Sequence, residues 1–131
     1  IALVVGNQFA LTHAPDSLSF HPFVESIVVP AVRHTADTAG DRITSTESFA
    51  FRATAAEDVA MDDSLIFIAF GGSTPHREGL IDIYDRATGA YRSSVKLGVR
   101  IRAIAAGNGS VYVLHSKSGV PALAALRARV P

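Results

Sequence analysis

Five histidines, His13, His21, His34, His76 and His115, are the residues of this chain best suited to hold a metal, because a neutral imidazole nitrogen is a good ligand for zinc and similar ions. Three of them recur at matching places. His13 and His115 each close an apolar run, and His76 lies in the loop that follows the run Leu65 to Phe70. Converging on one rim, they could bind a divalent ion. Against this, Phe70 takes the place where the middle run would need its own histidine, and no His-x-x-x-His pair supports the set. Surface histidines are the plainer reading. Nucleophilic chemistry has less to stand on: there is no cysteine and no Gly-x-Ser-x-Gly elbow. The group Asp58, Asp62 and Asp63 lacks the spacing of a calcium loop, and Asp62-Asp63-Ser64 is a turn before a strand.

The loop Gly71-Gly72-Ser73-Thr74-Pro75-His76-Arg77-Glu78-Gly79 is the best contact surface. It is long, polar at its tip and framed by glycines, and long loops on rigid scaffolds are where binding concentrates. Ser73, His76, Arg77 and Glu78 are its candidate ligand-binding residues. An ordinary irregular connection is the alternative. It is not a phosphate loop, because no Gly-Lys-Ser/Thr follows.

The elements that must carry this loop are strands. Ser64-Leu65-Ile66-Phe67-Ile68-Ala69-Phe70 is rich in β-branched and aromatic residues and reads as a strand buried on both faces. Leu80 to Asp85 alternates from Ile81, Gly89 supplies the positive φ of a hairpin turn, and Tyr91 to Leu97 returns as a more polar strand. The same plan recurs. Asp62 to Ile68 aligns with Gly107 to Val113, 45 residues later, and Ile81 to Arg86 aligns with Leu123 to Ala128.

A third, more diverged copy opens the chain. In it Ile1 to Val5 is an inner strand, Phe9 to His13 the second, Ser17 to Phe23 the third and Ser26 to Val29 the outer one, with Pro30 at the exit. Residues 31–47 turn polar and lose period, which predicts a long connection or an insertion. Phe49 to Ala60 is expected to resume as the inner strand of the middle unit. The last unit runs Ile101 to Ala105, Ser110 to His115 and Ala122 to Ala128 and lacks an outer strand.

Charge and composition narrow the partners. Twelve basic and twelve acidic residues cancel, so no overall field draws in nucleic acid, and Arg100, Arg102, Arg127 and Arg129 read as a solvated face. No apolar run approaches the roughly 20 residues of a spanning helix. The absence of cysteine leaves the compartment open. Asn108-Gly109-Ser110 fits a glycosylation pattern and equally a hairpin turn. A first residue Ile1 in place of Met is expected of a processed chain or a piece of a longer one.

The succession Asp63 to Gly72, then Gly79 to Gly89, then Gly109 to Leu114 resembles the last blades of a bacterial six-bladed β-propeller of the NHL-like type. The resemblance covers about Phe51 to the end. It implies an all-β fold of four-stranded antiparallel blades. About three are present, in units of roughly 1–48, 49–97 and 98–131 within one partial domain. The other half of the ring would come from preceding sequence or from a second copy. Compartment is unassigned, with an extracytoplasmic one favoured by the resemblance alone.

Two functional expectations follow, and one architectural rival. The first is a non-catalytic scaffold presenting loops to a protein or small ligand, with no cofactor. The second is a lactonase-like or lyase-like enzyme using a divalent metal held in the central channel. Its ligands would sit on inner strands, where Glu57 and Asp58 are the carboxylates on offer, beside the low-ranking set His13, His76 and His115. The rival architecture is a self-contained β-sandwich binding module, against which the 45-residue repeat argues.

Overall fold

The computed structural model describes residues 2–5, 8–14, 16–25, 32–49, 56–70 and 76–127. They are all-β, in small antiparallel sheets, none closed on itself. No helix among the described residues is long and apolar enough to cross a membrane.

The first sheet joins β1 (Ala2–Val5), β2 (Gln8–Ala14) and β3 (Ser17–Pro22) in that order. A separate hairpin follows, β4 (Val32–Ala39) with β5 (Arg42–Phe49). The middle sheet has four strands, β6 (Asp58–Met61), β7 (Leu65–Phe70), β8 (Leu80–Asp85) and β9 (Tyr91–Lys96). The last sheet has three, β10 (Arg100–Gly107), β11 (Ser110–Lys117) and β12 (Val120–Arg127). The 45-residue repeat is therefore structural. Its aligned runs are the second strands β7 and β11 and the third strands β8 and β12 of two different sheets.

Turn chemistry sets the registers. The Asp62 carboxylate accepts hydrogen bonds from the amides of Ser64 (2.9 Å) and Leu65 (2.8 Å), which closes the turn from β6 to β7. Asn108 and Gly109, at φ 51° and 67°, make the two-residue turn from β10 to β11. Two positive φ values in succession are what a type I′ hairpin turn requires, and Asn-Gly is the sequence that tolerates them best.

Packing follows the pleat. In β7, Ile66, Ile68 and Phe70 meet Phe9, Leu11 and Phe23 of the first sheet and the segment after it, while Leu65, Phe67 and Ala69 meet Ile101, Ile104, Val111 and Val113 of the last. Every residue of β7 is buried, as its uninterrupted apolar sequence predicts. The middle sheet thus lies between the other two, and its first strand, β6, neighbours β1 on one side and β10 on the other. The carboxylate of Asp58 ties β6 to β10 by accepting from the Ile104 amide at 2.8 Å.

Two expectations need correction. Residues 31–47, expected as a long connection or an insertion without period, are not a plain connection: from Val32 on they lie in the hairpin β4–β5, turned at Gly40 (φ 62°) and Asp41. Its described side chains from His34 to Ile43 are exposed on both faces, and a strand with no buried face leaves no period to read. Phe49 therefore ends β5 instead of opening the middle sheet, whose first described strand starts only at Asp58, beyond most of the stretch Thr54 to Asp58. The outer strand expected at Ser26 to Val29 lies outside the described residues.

Candidate functional site

Residues 76–79, which lead into β8, are held by a buried polar cluster. Gly79 donates to the Phe70 carbonyl at 3.0 Å, so the loop closes on the strand ends that carry it. Arg77, with 4% of its surface exposed, turns inward. Its guanidinium lies 4.0 Å from the centroid of the Phe70 ring, donates through Nη1 to Glu25 Oε2 at 2.8 Å and through Nη2 to Asp82 Oδ2. Asp82 is fully buried on β8 and also accepts from Ser94 Oγ at 2.6 Å and from the Tyr84 hydroxyl at 3.4 Å. A buried carboxylate is tolerated only when charge and hydrogen bonds both compensate for lost water, and this one has both. Burial pushes the Tyr84 phenol up to about 12, an effect partly opposed by the hydrogen bond it accepts from the Val24 amide at 3.2 Å. The phenol is therefore neutral at any ordinary pH and able to donate to Asp82.

With Arg77 turned inward, the exposed side chains among the described residues of the loop are His76 and Glu78. His76 adopts a left-handed backbone, φ 67°, uncommon for a residue with a Cβ. Beside it the segment from β9 to β10 comes close. Leu97 donates to the Gly79 carbonyl at 2.9 Å, and Gly79 sits so near the Val99 carbonyl that a Cβ there would overlap it. The two segments enclose a groove of about 370 Å³ lined by His76, Glu78, Lys96, Gly98, Val99 and Arg100. Its lining carries two cations, one carboxylate and one imidazole. Such a groove can hold a carboxylate or phosphate group by charge and hydrogen bonds.

The other candidate residues are more scattered. Ser73 lies outside the described residues. His13 is on β2 and His115, half-buried, on β11, near the ends of two different second strands. The Nδ1 atom of His115 is buried without a hydrogen-bond partner among the described residues. Glu57 stands just before β6, its amide bonded to the Ala69 carbonyl at 2.8 Å. Asp58 uses both carboxylate oxygens on backbone amides, Oδ1 on Val59 (2.9 Å) and Oδ2 on Ile104 (2.8 Å). Among the described residues no three His, Asp or Glu side chains gather in a group able to hold a metal ion.

Lys96 and Arg100 carried no signal as partners of the loop, since they join it only through the fold. Asp82 was legible as a charge inside an apolar alternation, but its partner Arg77 was not. Neither protein-family models, nor curated proteins, nor solved structures yield a match to this chain.

Proposed function

We propose that the chain is a non-catalytic scaffold of β-propeller type, its three sheets standing as blades, and that it binds a protein or small ligand through the groove between His76 and Arg100. The blade reading is supported by the repeated plan and by first strands that neighbour one another in the order β1, β6, β10. One observation carries the binding reading: residues 76–79 are held by the buried Arg77–Asp82 pair while His76 and Glu78 are exposed beside Lys96 and Arg100. A segment held in this way presents its side chains with little ordering cost, which favours recognition. The surplus of cations selects a ligand that carries an anionic group.

Amide chemical shifts, followed during titration with inorganic phosphate and separately with a hexaglutamate peptide, test this. Changes confined to His76, Glu78, Gly98 and Arg100, and lost in a Lys96→Ala/Arg100→Ala variant, are expected. No change at these amides with either probe would refute the reading. The enzyme alternative is decided by metal analysis of the purified protein: stoichiometric metal abolished by Glu57→Ala or Asp58→Ala would replace the scaffold with a metalloenzyme.

A further inference from the structure

The tight turns of the molecule differ in what holds them. Between β8 and β9 the Asp85 carboxylate accepts from the amides of Ala87 (3.0 Å) and Thr88 (2.9 Å), and Gly89 lies against the His21 ring. The turn from β10 to β11 has no such support. Asn108 and Gly109 are both exposed and lie outside the ladder, which begins at the pair Gly107 and Ser110. Among the described residues neither the Asn108 carboxamide nor the Gly109 amide meets a hydrogen-bond partner.

An asparagine followed by glycine has a chemistry of its own. The next amide nitrogen can close a five-membered ring on the asparagine side-chain carbonyl, and glycine brings no Cβ to crowd the approach. At Gly109 nothing lies within 4 Å of where a Cβ would stand, so the amide is open to solvent and to its neighbour. Closing the ring requires rotation about the Asn108 Cα–C bond, away from the turn geometry. The step therefore runs through a locally opened turn, and an unsupported hairpin end is where opening costs least.

We propose that Asn108 is a site of self-modification. The Gly109 amide gives its proton to hydroxide and its nitrogen attacks Asn108 Cγ. The N–Cγ bond forms, the Cγ–Nδ2 bond breaks, and Nδ2 takes a proton from water and leaves as ammonia. Water then opens the succinimide: addition at Cγ yields aspartate, and addition at the main-chain carbonyl carbon yields isoaspartate. One water is consumed for each ammonia released, and no oxidant or reductant takes part. The inference does not depend on the groove at His76.

The place gives the reaction its consequence. Asp85 is the last acidic residue of the sequence, and residues 86–131 hold eight of the twelve Lys and Arg. Either product sets the first carboxylate among these cations, beside Ser110, whose register partner on β12 is Arg127. Aspartate before glycine still suits a type I′ turn. Isoaspartate lengthens the main chain inside a two-residue turn and parts Gly107 from Ser110, one residue before the buried Val111. That product loosens the last sheet at its turn.

Mass spectrometry of tryptic digests, after incubation of the protein at neutral and at mildly alkaline pH, tests this. Cleavage after Arg33, Arg102 and Lys117 places Asn7 in segment 1–33 and Asn108 in segment 103–117, so the two asparagines are read apart, and Asn7, followed by Gln8, is the control. The amide-to-acid mass shift is expected in 103–117 alone, at a rate that rises in proportion to hydroxide. Labelling with isoaspartyl methyltransferase is expected to identify the isoaspartate form, in which the Gly107 and Ser110 amides lose hydrogen-exchange protection. Asn108→Gly keeps residues suited to the turn and is expected to abolish the shift while retaining that protection. An unchanged 103–117 at alkaline pH, equal conversion of 1–33, or full protection in the isoaspartate form would overturn the proposal.

Discussion

β7 and β11 hold the same position in their sheets and carry similar apolar sequence, yet their fates differ. β7 is buried along its whole length, whereas β11 buries Val111 and Val113 and leaves Tyr112 and Leu114 about two-fifths exposed. The contrast arises in the neighbours. The middle sheet has a sheet packed on each face, while the described residues cover only one face of the last. Burial of a strand is thus conferred by what stacks on it, and the strand's own composition states only that it can be buried.

The widest gap between the two strands is expected from truncation. Phe67→Ala on β7 is expected to cost about 3–5 kcal/mol in urea unfolding, since it leaves a cavity between two sheets. Leu114→Ala on β11 is expected to cost less than about 1 kcal/mol, because its outer side already meets water. Equal losses would mean that the second face of β11 is covered in solution.

The buried ion pair comes next. Asp82→Ala strands the Arg77 guanidinium inside the middle sheet and is expected to cost about 3 kcal/mol. An Arg77→Met/Asp82→Leu double variant is expected to regain most of it. A double variant as unstable as the single one would show that the pair is needed for something other than mutual compensation. The turns of the two sheets sharpen the comparison further. Gly89 (φ 69°) and Gly119 (φ 82°) share a left-handed backbone, but a Cβ at Gly89 would overlap the His21 ring, while at Gly119 it meets open space. Gly119→Ala is expected to cost about 1 kcal/mol of backbone strain, and Gly89→Ala more. Calorimetric melting of the two variants checks the order.

The smallest effect is electrostatic and lies at an exposed turn. Arg92, donating to Asp85 Oδ2 at 2.6 Å, and the amide and hydroxyl of Thr88 lower the Asp85 carboxyl from 3.8 to about 2. A depressed folded-state value adds stability above the unfolded one, which is lost as pH falls from about 4 towards 2. The carbon shift of the Asp85 carboxyl, followed through that window, is expected to titrate near 2 in the wild type and higher in Arg92→Ala. Identical midpoints would remove Arg92 as the cause. Tyr84 acts at the other extreme. Its value, raised to about 12 from 10.0, means that stability declines as pH climbs from 10 towards 12.

Sequence legibility tracked the same contrast. Leu65 to Phe70 announced its burial because six apolar residues in a row suit a strand covered on both faces, and Asn108-Gly109 announced its turn through the φ values it accepts. His34 to Ile43 was silent because its side chains are exposed on both faces, and a strand without a buried face shows no alternation. The groove was half legible: Gly71 to Gly79 stood out as a long polar loop, but the inward swing of Arg77 depends on Asp82 and Phe70. The arrival of Lys96 and Arg100 depends on how β9 leads into β10. Contacts of that kind are made by the fold, and spacing along the chain does not encode them.

The hairpin tip at Gly40 and Asp41 offers a practical handle. Both residues are exposed, and open space surrounds the position of a Cβ at Gly40. A dye or short peptide tag grafted between them would report on the molecule without disturbing either hydrophobic cluster, and a protease is expected to nick the chain there before it reaches the stacked sheets.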